Sequence, residues 1–220
     1  MTILVAITGG SGSGKSTLAR GLKAALPPGA AVVISEDWYY RDCSAFEAFD
    51  PATFDFDDIA ARDHALMIQH LKALKAGRSI TAPAYDFVTH SRREDTGVAV
   101  EPAAVVIVEG AHLLCKPEVA AAFDLRIYLD TPADVRFIRR LLRDQTERGR
   151  TARSIVDQYL STVRPAHERL TGPSRQRADV VVRDQTTTVD HPDPIAIADL
   201  AAPLVKHPVF AALRSPHSQS

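Results

Sequence analysis

Apolar runs and amphipathic stretches alternate along the chain, and their spacing predicts most of its elements. Ile3–Thr8 is a run of β-favouring residues. Lys15–Leu26 follows it with a helical apolar pattern, stopped by Pro27, Pro28 and Gly29. Ala31–Ser35 reads as a second short strand. Beyond an irregular acidic and aromatic stretch, Asp58–Ala76 reads as a helix with Met67, Leu71 and Leu74 on one face, ended by Gly77. Ile80–Val100 contains Pro83, Gly97 and alternating character, which predicts a hairpin-like excursion rather than a core strand. Ala103–Glu109 is apolar almost throughout, the pattern of a central strand buried on both faces, and Leu125–Leu129 is another.

Asp130-Thr131-Pro132-Ala133-Asp134 has the residues of a helix start, with a capping side chain, a first-turn proline and an early acid. The helix it opens is expected to run to about Arg148 with Val135, Ile138 and Leu142 inward. Arg136, Arg140 and Arg143 then share another face at i, i+4 and i+7. Thr151–Val163 reads as a further helix stopping before Pro165, Val180–Val182 as the last strand, and Pro194–Lys206 as a closing helix. Strands alternating with helices predict an α/β domain over residues 1–213, with a mainly parallel five-stranded sheet and helices on both faces. Residues 214–220 are polar and are expected to form a frayed tail. Ligands of such a sheet bind beyond the carboxyl ends of its strands, so the residues that follow each strand carry the functional information.

The first of these is the densest. Gly9-Gly10-Ser11-Gly12-Ser13-Gly14-Lys15-Ser16-Thr17 fits the phosphate-binding loop pattern G-x-x-x-x-G-K-S/T between a strand and a helix. The glycines free backbone N–H groups to wrap an anion at a helix N-terminus. Lys15 would reach the β- and γ-phosphates, and the Ser16 hydroxyl would sit on Mg²⁺. An ordinary Gly/Ser turn is the alternative, but about 0.002 chance matches are expected at this composition. The loop predicts binding of a nucleoside triphosphate.

Composition changes this picture little. Basic and acidic residues balance, 26 against 27, which argues against a general nucleic-acid binder. The balance is uneven, however: 11 of the 20 arginines lie between Arg136 and Arg177, against four acids. Cys43 and Cys115 have no metal-ligand spacing and read as free thiols. No signal-peptide pattern precedes the first strand and no apolar run approaches ~20 residues, so a cytoplasmic protein off the membrane is expected.

After the second strand comes Ser35-Glu36-Asp37-Trp38-Tyr39-Tyr40. An acid at this place could hold Mg²⁺ through water or take the proton of an acceptor hydroxyl; a turn-capping aspartate is the alternative. Glu109, ending the central apolar run, is the second candidate Mg²⁺-side carboxylate, with a cap again the alternative. Arg139–Arg150 (RRLLRDQTERGR) is either a solvated helix face or a mobile arginine lid hinged at Gly149 that closes over the γ-phosphate. In Pro83–Arg92, two aromatics and His90 could stack on and hydrogen-bond a flat heterocycle, although such residues more often pack a surface.

Together these stretches resemble the uridine (uridine–cytidine) kinases of the phosphoribulokinase/uridine kinase group, over roughly Ile3–Asp184. The resemblance is carried by GGSGSGKST, D-x-Y-Y at Asp37–Tyr40, Phe56-Asp57, HLKALKAG at His70–Gly77, P-x-Y-x-F-x-x-H-x-R at Pro83–Arg92 and VIVEG at Val106–Gly110. It continues in RR-x-x-RD-x-x-ERGR at Arg139–Arg150, Q-Y-x-x-x-VRP at Gln158–Pro165 and P-S-x-Q-x-AD at Pro173–Asp179. It implies a P-loop NTPase fold with a β-hairpin excursion near 80–100 and a helical lid near 143–165. The implied activity is transfer of the γ-phosphate of ATP or GTP, with Mg²⁺, to the 5′-hydroxyl of uridine or cytidine in pyrimidine salvage, by a homotetramer or dimer.

On matching positions it implies Asp37 as general base and Ser16, Asp37 and Glu109 as the Mg²⁺ shell. Tyr40, Tyr85, Phe87 and His90 fall on the base side, Asp57, Arg140 and Gln158 on the ribose hydroxyls, and Phe56 among the substrate-binding residues. Lys15, Arg143, Arg148 and Arg150 fall on the transferred phosphate. The chain departs from the family at Ala111, where a larger aliphatic usually lines the base site. It departs again at Arg177, at Arg183-Asp184-Gln185 and around Phe46–Phe56. A related kinase acting on nicotinamide riboside, pantothenate or a sugar phosphate, and a regulatory nucleotide-binding module without transfer, remain open alternatives.

Overall fold

A computed structural model of the chain describes residues 2–47, 49–50, 54–86, 89–184 and 199–213. Five parallel strands form the central sheet: β1 (Ile3–Thr8), β2 (Ala31–Ser35), β5 (Val105–Gly110), β6 (Leu125–Asp130) and β7 (Val180–Arg183), in the order β2-β5-β1-β6-β7. The chain thus starts in the middle of the sheet. β3 (Ile80–Asp86) and β4 (Ser91–Val100) form a separate antiparallel hairpin whose register shifts between Ala82 and Ala84. Pro83 lies at the shift, where its missing N–H removes a ladder donor.

Alternation along β1 sorts the core into two halves. Leu4 and Ala6 face one side and pack with Ile34, Val106, Val108 and helix α2 (His64–Lys75) through Met67, Leu71 and Leu74. Val5 and Ile7 face the other, with Ile107, Ile127 and helix α1 (Lys15–Ala25) through Leu18 and Leu22. Each of these side chains larger than alanine contributes roughly 1.5–3 kcal/mol on leaving water. β5 is buried at every position, as a strand covered on both faces must be. A short helix, α3 (Pro117–Ala120), closes the first half-core. The long helix α4 (Ala133–Arg148) lies against the loop that follows β1, and α5 (Ala152–Gln158) packs on α4.

Four sequence expectations are corrected. The helix predicted over Asp58–Ala76 begins only at His64. Asp58 caps a separate 3₁₀ turn through Ala60 N–H at 2.7 Å, and Asp63 caps α2 through Leu66 N–H at 3.1 Å. Between them Arg62 is drawn into an antiparallel bridge with Tyr40. Helix α4 is turned opposite to expectation: Ile138 and Leu142 are 38% and 43% exposed, while Arg136, Arg140 and Asp144 are buried. This helix covers a polar loop rather than the core, so its polar face is the one that finds partners inside.

The helix expected to end before Pro165 continues. Wide π turns at Tyr159–Val163 and His167–Thr171 alternate with α turns at Arg164–Ala166 and Gly172–Ser174, and a 3₁₀ turn ends the run at Arg175–Arg177. A π turn shifts the hydrogen-bond register by one residue, which accommodates a proline without breaking the path. Finally, the closing helix is interrupted: 194–198 lie outside the described residues, and past Pro203 the chain forms 3₁₀ turns at Leu204–Lys206 and Pro208–Leu213. Residues 214–220 also lie outside the described residues.

Candidate active site

The glycine loop leaves β1 and enters α1 at its Gly14 cap. Gly12 has φ +79°, and a β-carbon there would run into the carbonyl of Arg136, so conformation and space both require glycine. The Lys15 ammonium donates to the Gly10 carbonyl at 3.1 Å, folded back over the loop. Burial lowers its pKa, opposed by Glu109 and Asp37 and reinforced by Arg143. Arg140 donates to the Ser11 hydroxyl at 2.8 Å, and Thr131, beyond β6, donates to the Ser13 carbonyl at 3.0 Å.

β5 and β2 bring their terminal residues to the same mouth. Glu109 accepts from Ser16 Oγ at 3.1 Å and from Ser35 Oγ at 2.8 Å. Burial raises its pKa against the pull of Lys15. Ser16 and Glu109, two of the predicted metal-side groups, are therefore in direct contact. Asp37, the third, lies on a 3₁₀ turn (Glu36–Tyr39) that follows β2, with its N–H capped by Ser35 Oγ at 3.3 Å. Its side chain is 47% exposed and stands 3.6 Å from the Arg62 guanidinium.

The predicted base-side residues meet at the hairpin. The rings of Tyr40 and Tyr85 lie 5.0 Å apart, and Phe56 stacks on His90 at 4.7 Å with 28° between planes. His90 holds a left-handed backbone, φ 54°, at the hairpin turn, and its Nδ1 is buried with no hydrogen-bond partner among the described residues. Burial lowers its pKa, opposed by Asp86. Phe87 lies outside the described residues. Arg92 ties the hairpin to the 3₁₀ turn by donating to the Tyr40 carbonyl at 2.8 Å. Phe49 and Phe54 extend the aromatic cluster, at 5.8 Å from His90 and 4.9 Å from Phe56 respectively. Sequence reasoning noted only that this stretch was aromatic.

The predicted ribose and phosphate groups form a third cluster. Asp57 accepts from Thr162 Oγ1 at 3.1 Å, and burial raises its pKa. Gln158 Oε1 accepts from both Arg140 and Arg150, at 2.8 and 2.6 Å. Arg140, Arg143, Arg148 and Arg150 all lie within 3.8 Å of one carboxylate, the fully buried Asp144. Asp144 was not singled out from the sequence. Its signal was an acid four residues from both Arg140 and Arg148, on the arginine face of a helix.

A second missed group lies beneath Asp37. Glu36 is fully buried, accepts from His64 Nε2 at 2.7 Å and from His112 N–H at 3.0 Å, and faces Arg62 at 3.8 Å. Burial alone would raise its pKa, but the His64 hydrogen bond and the Arg62 charge hold it well below the carboxylate range. Gly110 is required beside it, since a β-carbon there would overlap the Glu36 side chain.

A parallel sheet of this order, with a G-x-x-x-x-G-K-S loop leading from its central strand into a helix, defines a P-loop kinase. The fold is similar to that of phosphoribulokinase from Rhodobacter spheroides, at TM-score 0.60 and 16% identity over 86% of this chain and 73% of that one. It is also similar to shikimate kinase from Bacteroides thetaiotaomicron, at TM-score 0.51 and 18% identity over 93% and 96% of the two chains. Residues 4–190 match the phosphoribulokinase/uridine kinase family, and the chain belongs to it. It is 43% identical over 180 residues to the uridine kinase of Clostridium perfringens, covering 82% of this chain and 86% of the relative. The chain is a kinase-type phosphotransferase with a nucleotide as phosphoryl donor. Among the described residues, no helix is long and apolar enough to cross a membrane.

Proposed function

We propose that this chain transfers the γ-phosphoryl group of ATP or GTP to the 5′-hydroxyl of uridine or cytidine. The observation that carries the reading is the convergence of three groups at one end of the sheet. Lys15 and the Ser16–Glu109 pair lie at the glycine loop, the Asp37 charge acts on both Lys15 and Glu109, and Arg62 joins Asp37 to an aromatic cluster of Tyr40, Tyr85, Phe56 and His90. A sugar-phosphate acceptor has no use for such a cluster, whereas a nucleobase stacks on it. His90 Nδ1, which has no hydrogen-bond partner among the described residues, would serve a carbonyl or amino group of that base once the ring turns from its contact with Phe56.

Asp37 would accept the proton of the 5′-hydroxyl, a role worth about 10²–10⁴ in rate. Lys15 would bind the β- and γ-phosphates, and Arg143, Arg148 and Arg150 would offset charge on the transferred group from a lid hinged after Arg148, where Gly149 caps α4 with φ 61°. Asp57, Arg140 and Gln158 would hold the ribose hydroxyls. The hard oxygen donors Ser16, Glu109 and Asp37 fit Mg²⁺, which when bound supplies charge neutralisation on the phosphates. The reading further places the enzyme in cytoplasmic pyrimidine salvage, as a homo-oligomer acting on a small molecule and not on nucleic acid.

The test is a panel of acceptors assayed for ADP release with ATP and Mg²⁺: uridine, cytidine, purine nucleosides, nicotinamide riboside, pantothenate and sugar phosphates. Turnover on uridine or cytidine above all others is the expected result. Absence of turnover on both refutes the reading. Ala111 makes the comparison with larger bases the informative arm, because a small side chain follows Gly110 there.

A further inference from the structure

Arg62 is a buried guanidinium that belongs to no regular element, set between the end of one 3₁₀ turn and the cap of α2. Taking such a charge out of water is costly unless opposite charge and hydrogen-bond acceptors surround it. Its partners come from two places in the chain, residues 36–40 and Phe56. Nη2 donates to the Tyr40 hydroxyl at 2.6 Å and lies 3.6 Å from Asp37, and the guanidinium carbon sits 4.3 Å from the centre of the Tyr40 ring. Nη1 donates to the Phe56 carbonyl at 3.1 Å. On its other side, Nε lies 3.8 Å from Glu36, which is held by His64 and by the backbone of His112. The antiparallel bridge to Tyr40 fixes the backbone of the arginine itself.

We infer that Arg62 is a positioning residue that sets Asp37 relative to Tyr40 and Phe56, with Glu36 as its buried counter-charge. The inference rests on the reading of Asp37 as proton acceptor and of Tyr40 and Phe56 as the acceptor's pocket. Geometry gives it this role: one planar group bonds or pairs with the carboxylate on the phosphate side and with two residues on the base side. The distance between proton acceptor and nucleoside is then fixed by a single rigid fork. A lysine would restore the charge facing Glu36 and Asp37, but as a point charge it cannot serve Tyr40, Phe56 and Asp37 at once. A role in charge balance alone would be rescued by lysine, whereas a positioning role would not.

Two variants and three readouts test this. Arg62→Lys keeps the counter-charge to Glu36. The double variant Arg62→Met/Glu36→Gln removes both buried charges and guards against failure to fold. In each, the dissociation constant for ATP, measured by calorimetry, is expected to stay within about twofold of the parent. kcat for uridine is expected to fall about 10–100-fold, with KM for uridine raised. Trp38, the single tryptophan of the chain, lies on the same turn as Asp37 and reports independently of activity. Its acrylamide quenching without ligands is expected to change in both variants.

A folded Arg62→Lys protein with kcat/KM for uridine within threefold of the parent and unchanged Trp38 quenching overturns the inference. So does an equal loss of ATP binding and turnover, which marks a merely structural role. If the parent itself phosphorylates neither uridine nor cytidine, the functional reading fails, and the Trp38 response alone decides whether Arg62 orders the turn.

Discussion

Glu36 and Asp37 are adjacent in the chain and have opposite surroundings. A 3₁₀ turn points successive side chains about 120° apart, so Glu36 enters the protein while Asp37 looks toward the loop lysine. The buried acid is fully paired by His64, Arg62 and a backbone N–H; the half-exposed acid has one guanidinium beside it and an open side. Under the proposed function, it is the second that would accept a proton from a bound hydroxyl. Asp37→Asn keeps the size and removes the acceptor lone-pair charge. Its expected effect is a fall in kcat of about 10²–10⁴ with ATP binding near that of the parent. Comparable turnover in the variant would remove Asp37 from that role. In sequence the two acids are equivalent, and the choice of Asp37 came from family resemblance; the turn geometry supplies an independent reason for it.

At the scale of elements, helix α4 shows what periodicity can and cannot say. Its stripes were legible: Val135, Ile138 and Leu142 on one, Arg136, Arg140 and Arg143 on another. Which stripe faces inward was not, because that depends on what the helix covers, and it covers the phosphate loop. The contiguous strand–loop–helix of residues 3–25 was legible for the opposite reason, since the residues that define its pattern follow one another in a single stretch. Arg62 was invisible because it read as one more position of a helix over Asp58–Ala76, and nothing in that pattern marks the acids at Glu36 and Asp37 as its partners.

The same helix makes Asp144 an anchor. Four guanidiniums share it, so replacing it leaves a cluster of like charges with Gln158 as a remaining acceptor. Three of those arginines are substantially solvated, so the stability lost in Asp144→Asn is put at roughly 1–3 kcal/mol rather than the full cost of breaking a buried pair. That is a fall in Tm of about 3–10 °C. Turnover is expected to fall further than ATP affinity, because the arginines lose their common bearing. A variant with parent-like kcat and Tm would show that Asp144 orders nothing.

Across the whole molecule, the carboxyl edge of the sheet buries a set of titratable groups whose combined effect is a dependence of stability on pH. His112, just past β5, is pushed down to about 3, by burial first and by the Arg62 charge next, against the attraction of Glu36. His167, against the glycine loop, is pushed down to about 4 by burial, with Arg136 adding to it. Both are neutral in the fold and become protonated on unfolding at mildly acid pH. The unfolded chain therefore binds more protons than the native one between the ordinary histidine value near 6.5 and these depressed values, and stability falls with pH through that window. Glu36 adds a loss in a lower window: its depressed pKa stabilises the fold above the ordinary carboxylate value, and that contribution disappears as pH falls below it. The histidine part can be isolated. Going from pH 7.5 to 5.5, one histidine shifted as His112 is costs about 1.4 kcal/mol of unfolding free energy. His112→Gln keeps the backbone N–H that Glu36 accepts, so urea unfolding of the variant is expected to lose about that much less over the same interval, whatever its stability at pH 7.5. If the two proteins lose stability in parallel, His112 does not titrate on unfolding, and the neutral buried ring assigned to it here is wrong.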